Sequence, residues 1–116
     1  MPHIILETTA DLPENAQIPD ILEALVCRFS TFETVDSASV KAYHTLRPNW
    51  CTGEGGKPGF AHCTVKIMSG RPLELRKRMS SGVYEELNAR FAESLAANEV
   101  TVTLELLEMD FETYHK

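Results

Sequence analysis

The chain has 116 residues, 43% hydrophobic and 24% charged, which is one domain of soluble, globular composition and too little for two. A formal net charge of -6 excludes nucleic acid or an anionic membrane as the main partner, since both require a basic face, but a pocket with one or two cations still suits a small anion. MPHIILETTADLPE lacks the basic start of a signal peptide, no run approaches the roughly 20 apolar residues of a membrane helix, and three cysteines without paired spacing point to reduced thiols in the cytoplasm.

Four strand-like and two helix-like runs follow one another in a repeated order. His3 to Glu7 is short, apolar and β-branched. From about Pro13 to Phe32, Ile18, Ile21, Leu22, Leu25, Phe29 and Phe32 recur at helical spacing, with Pro19 suited to the first turn of the main helix. Ser39 to Arg47 alternates, with Val40, Ala42 and Leu46 on one face and Lys41, Tyr43, Thr45 and Arg47 on the other.

The loop PNWCTGEGGKPG is dense in Gly and Pro and separates the halves. Phe60 to Met68 then reads as a strand. Pro72 to about Ala97 reads as one helix, with Leu75, Met79, Val83, Leu87, Phe91 and Leu95 along one stripe. Gly82 in its middle costs about 1 kcal/mol relative to alanine, and close approach to the other helix is the expected reason. Val100 to Leu106 alternates Val and Leu against Thr and Glu.

The expected architecture is therefore a single α/β (α+β) domain over 1–116 with pseudo-repeats at 2–47 and 59–107. Each β-α-β unit has parallel strands, and the simplest assembly is one four-stranded mixed sheet with both helices on one face. The other face carries Ile, Val and Leu in places and is left for a second copy of the chain to cover.

Two residues stand out as chemistry. Pro72 is suited to the first helical position, which puts Arg71 at or next to the N-cap, where backbone N–H groups and the helix dipole favour anions and a guanidinium fork suits a carboxylate. Pro2, directly behind the initiator methionine, becomes a free secondary amine if Met1 is removed. With strands one and three antiparallel at the sheet centre, Pro2 and Arg71 share one corner. Burial and nearby cations there disfavour the charged amine, whose reference pKa is about 7.7–8.0, and leave it suited to general-base work. The competing reading of Pro2 is an ordinary strand opener.

Other features carry no site. CTGEGGKP has Cys51 where a phosphate loop needs glycine, and Pro58 where it needs Ser or Thr. His44, Cys51, His62 and Cys63 match no zinc spacing. Arg76, Lys77 and Arg78 read as the wet side of the second helix.

MPHIILE, GFAHCTVKIMSGRPLELRKRM and YEELNARFAESLAANE together resemble the 5-carboxymethyl-2-hydroxymuconate Δ-isomerase family of the tautomerase superfamily. The resemblance covers nearly the whole chain, strongest from Ala61 to Arg76 and at the N-terminus, weakest from Thr8 to Asp36. It implies a tautomerase-like homotrimer of β-α-β-β-α-β subunits, an N-terminal proline as general base, and no metal or organic cofactor. The family's catalytic proline corresponds to Pro2, and its arginine after the third strand to Arg71. Its second-strand arginine falls on Lys41, which keeps the charge and loses the bidentate fork. Arg47, on the same strand face, is the residue expected to compensate. The tail MDFETYHK is shorter than in the family's isomerase. The implied activity is isomerisation of a small conjugated hydroxy or oxo dicarboxylate in homoprotocatechuate breakdown. The alternatives are a phenylpyruvate-type tautomerase, a hydratase of the same superfamily, or a non-catalytic trimeric binding module.

Overall fold

Alternation sets the first strand. In the computed structural model, which describes residues 1–116, HIILETT forms β1 (His3–Thr9), with Ile4, Leu6 and Thr8 buried and His3, Ile5 and Glu7 half-buried between them. The first predicted helix is divided. Pro13–Gln17 winds as a 3-10 turn and α1 runs over Ile18–Phe29. Gln17, at φ -124° and ψ 23°, makes the break, and Pro19 occupies the first turn, where its missing N–H costs nothing. α1 buries Ile21, Leu25 and Phe29, four residues apart, while Ile18, Leu22 and Phe32 pack at the margin of the core.

Asp36 caps a second 3-10 turn, Ser37–Ser39, by accepting the Ala38 N–H at 3.2 Å. This local bonding competes with the ladder, so β2 occupies Lys41–Arg47 and starts later than the alternation predicts. β3 spans Gly59–Met68 and β4 spans Val100–Met109, beyond the predicted end at Leu106.

The second predicted helix is also two. α2 covers Leu73–Arg90 and α3 covers Ala92–Ala96, with Phe91 at φ -110° and ψ 22° between them. The Phe91 N–H is shared between the Leu87 and Asn88 carbonyls, each at 3.2 Å. Beyond the break, the buried carboxylate of Glu14 accepts the Ser94 backbone N–H at 3.0 Å and its hydroxyl at 2.6 Å. The Ser94 N–H is one of the backbone donors that a helix start leaves without intrahelical partners.

The strand order is β2-β1-β3-β4, with β1 parallel to β2, β1 antiparallel to β3, and β3 parallel to β4. The pattern is the doubled β-α-β arrangement that the sequence implies. Ile4, Leu6, Ala61, Cys63, Val65, Ile67, Val100 and Val102 meet the apolar stripes of α1 and α2 in one core. Gly82 explains itself here: a Cβ would stand 2.6 Å from Phe32 Cζ and 2.9 Å from the Arg28 guanidinium, so α2 lies close against the end of α1.

The opposite sheet face differs from expectation. Strand registers put His3, Glu7, Lys41, Tyr43, Arg47, His62, Lys66 and Glu105 on it, and among them the apolar residues Ile5, Phe60, Met68, Leu107 and Met109. The valines of β3 and β4 all point to the helices, because strand alternation leaves them no other side.

Candidate active site

The start of β1, the start of β2 and the end of β3 meet at one corner. Pro2 is buried there, and its carbonyl accepts the Lys41 N–H at 3.0 Å, which extends the β1–β2 ladder by one bond. Across β1, His3 pairs with Lys41 on one side and Lys66 on the other. β3 then turns through Ser69, whose N–H reaches the Met109 carbonyl at 3.1 Å, and Gly70. Gly70 has φ 118°, a backbone region that side chains rarely enter, and it swings Arg71 back over the corner.

Arg71 stands beside the N-cap: Pro72, with ψ 153°, is the cap itself and α2 begins at Leu73. Its guanidinium is held by the loop after α1. Nε donates to Thr34 Oγ1 at 2.9 Å and Nη2 to the Thr34 carbonyl at 3.1 Å. A guanidinium has five N–H donors, so three stay free for an anion. Thr34 has φ 71°, an outlier for a β-branched residue, so the partner of Arg71 sits on strained backbone.

Electrostatics mark the same corner. The α-amino group of Met1 has its pKa lowered from the ordinary 8.0, first by burial, then by the charges of Lys116, Arg71 and Lys41. That nitrogen stands one residue ahead of the Pro2 nitrogen, which is an amide while Met1 is attached. His3 titrates below its ordinary 6.5 for like reasons: burial, then the amine, Lys66 and Lys41.

Pro2, Arg71 and Lys41 are thus brought together. Arg47 is not. It pairs with Thr9 at the far end of β2, roughly 20 Å from Lys41 at about 3.3 Å per residue, and its Nε donates to Glu7 at 2.8 Å. Sharing a strand face with Lys41 does not bring it within reach of Pro2.

Three residues escaped sequence reasoning. Lys66 faces His3 across the sheet, which the antiparallel register would have revealed. Tyr114 and Lys116 lie in the tail, which folds back so that the Tyr114 hydroxyl and His3 Nε2 are 2.8 Å apart. Only Asp110, a turn former, hints at that reversal. The grooves beside α2 and β4, around Tyr84 and Leu104, and between α1 and α2, around Arg28 and Glu86, do not reach this corner. No three His, Cys, Asp or Glu side chains converge in a way that would hold a metal ion.

Chemically, the corner offers a nitrogen whose protonated form is disfavoured and several cations for carboxylates. Comparison with known proteins gives this arrangement a context. The family model described as 5-carboxymethyl-2-hydroxymuconate isomerase matches residues 2–116. The 5-carboxymethyl-2-hydroxymuconate Delta-isomerase of Escherichia coli is 23% identical over 110 residues, covering 94% of this chain and 87% of that protein. The crystal structure of a 5-carboxymethyl-2-hydroxymuconate isomerase from Deinococcus radiodurans R1 superposes with a TM-score of 0.91 at 24% identity, over 99% of this chain and 87% of that one. A fused 4-OT symmetric trimer superposes with a TM-score of 0.66 at 19% identity, over 91% and 85%.

Proposed function

Since the chain belongs to the 5-carboxymethyl-2-hydroxymuconate isomerase family, a family of isomerases, we propose that Pro2 is the general base of a cofactor-independent keto–enol isomerisation once Met1 is removed. The substrate is a small conjugated hydroxy acid with several carboxylates. The proline nitrogen takes the proton of the 2-hydroxy group, the oxygen's electrons form the carbonyl, and the double bonds shift along the diene. The protonated amine then delivers its proton to the remote carbon C5. Arg71, with three free N–H donors, and Lys41 hold carboxylates and stabilise the oxyanion as it develops.

The observation that supports this reading is the corner itself: the Pro2 carbonyl accepts the Lys41 N–H at 3.0 Å, and the turn through Gly70 leads to Arg71 at the same end of the sheet, where nearby cations favour the neutral amine that a base near pH 7 must be. The reading includes a homotrimer, supported by the likeness to the fused 4-OT trimer and by the uncovered sheet face. It also includes one domain over 1–116 and a cytoplasmic setting, the latter supported by three free thiols.

The test follows ketonisation of 5-carboxymethyl-2-hydroxymuconate by absorbance, with two preparations separated by intact mass. The form lacking Met1 turns over, and the form retaining it does not. Equal rates would remove Pro2 from the mechanism. The lysine at position 41 favours a second reading, a phenylpyruvate-type tautomerase, because a point charge is enough for one carboxylate. Faster turnover of the phenylpyruvate enol than of the muconate would select it.

A further inference from the structure

Thr34 is an unexpected residue to find at φ 71°, a region that suits Gly or Asn and strains a β-branched side chain. Such strain persists where the surroundings over-determine it, and three successive residues here are fastened to α2. Phe32 fills the notch at Gly82, where a Cβ would stand 2.6 Å from its Cζ. The Glu33 carboxylate accepts from Arg78 at 2.5 Å and 3.3 Å. Thr34 accepts from Arg71, at its hydroxyl over 2.9 Å and at its carbonyl over 3.1 Å. Glycine would offer the same carbonyl without the strain, so the hydroxyl is what threonine adds.

That grip decides which side of Arg71 is left open. Nε and Nη2 form one edge of the guanidinium, and Thr34 occupies it. The remaining hydrogens, two on Nη1 and one on Nη2, include the parallel pair at the end of the side chain that matches the two oxygens of a carboxylate. The backbone is fixed as well, since the Arg71 carbonyl accepts from Arg76 Nε at 3.1 Å. Arg47, Arg76, Arg78 and Arg90 each pair with a glutamate, and Arg71 pairs with none.

We propose that Thr34 is a positioning residue: it holds Arg71 by the Nε edge, so that the Nη1–Nη2 end takes a substrate carboxylate in bidentate fashion. The proposal rests on the reading of Arg71 as a carboxylate-binding residue. It assigns the strained backbone at Thr34 to substrate recognition.

Binding of glutarate, an unreactive dicarboxylate, tests it by titration calorimetry at low salt. Thr34→Val keeps the shape and loses the hydroxyl, and it binds about fivefold more weakly than the native chain, the worth of one hydrogen bond. Thr34→Ser keeps the native affinity. Thr34→Gly removes strain and hydroxyl together, so it unfolds at no lower temperature and yet shows the same loss. On an Arg71→Ala background, Thr34→Val changes nothing further. Native affinity in Thr34→Val, or an equal loss with and without the arginine, overturns the proposal. Failure of the carboxylate-site reading looks different, and takes the proposal with it: Arg71→Ala then binds glutarate as the native chain does. Failure of the proline reading alone leaves the proposal standing: affinity depends on both residues, and yet removal of Met1 brings no ketonisation.

Discussion

Glu14 gives the sharpest test of how the fold is held. The residue is 4% exposed and its carboxylate accepts two bonds from Ser94, itself 2% exposed. A hydrogen bond to a charged group contributes about 1.5–3 kcal/mol net, and a buried donor left unpaired costs about 1–3 kcal/mol. Glu14→Ala removes both bonds and strands both donors, offset by release of a desolvated charge, so a loss of about 3 kcal/mol is expected. Glu14→Gln keeps one oxygen for the N–H and turns an amide N–H toward the hydroxyl, so about 1 kcal/mol is lost. At about 4 °C per kcal/mol for a chain of this size, Tm falls by about 12 °C and about 4 °C. Urea unfolding followed by far-ultraviolet circular dichroism measures both. In the cycle with Ser94→Ala, the second substitution costs less on the Glu14→Ala background than on the native one. If Glu14→Ala costs less than about 1 kcal/mol, or as much as Glu14→Gln, the carboxylate does not secure the break at Phe91.

Four further outcomes are expected. Lys41→Gln removes a cation from the strand bonded to Pro2, and nearby cations disfavour a charged amine, so the acid limb of kcat/KM against pH moves to higher pH; an unmoved limb means that Lys41 does not act on the base. His44, held below its ordinary 6.5 by burial, is charged more readily in the unfolded chain, so its contribution is full above 6.5 and lost as pH falls through the folded value; His44→Gln flattens that part of the stability–pH curve. Gly82→Val destabilises by about 1–3 kcal/mol in chemical denaturation through overlap with Phe32 and Arg28, and Gly82→Ala by less, since alanine regains about 1 kcal/mol of helix propensity. Cys27 and Cys51, both exposed, react with a disulfide reagent at pH 8, while Cys63, pushed up to about 12 by burial, reacts only on unfolding; three fast thiols would contradict the buried placement.

The sheet was legible because alternation and β-branching say directly which side of each strand is buried, and the repeated β-α-β order limits the topologies. Helix interruptions were not. Phe91 and Leu95 continue the stripe of α2, so periodicity runs straight through a break that Glu14 secures from 80 residues away. The meeting of Pro2 and Arg71 at one corner was legible because strand order carries both there, while Lys41 was singled out only through the family resemblance. Arg47 was misjudged because alternation gives the face of a residue and says nothing of its distance along the strand. The hold of Thr34 on Arg71 and of His3 on Tyr114 depends on loops and tail folding back. No local pattern encodes such contacts.

The bond between the Lys41 N–H and the Pro2 carbonyl has a consequence for maturation. It clamps residue 2 from its C-terminal side, and nothing in it involves Met1. Cleavage of the methionine therefore changes the electronic character of the nitrogen, from a planar amide to a basic amine, while the ring keeps its place. On the proposed mechanism the unprocessed chain is a finished scaffold with its reagent chemically masked, and activation needs a hydrolysis and no refolding.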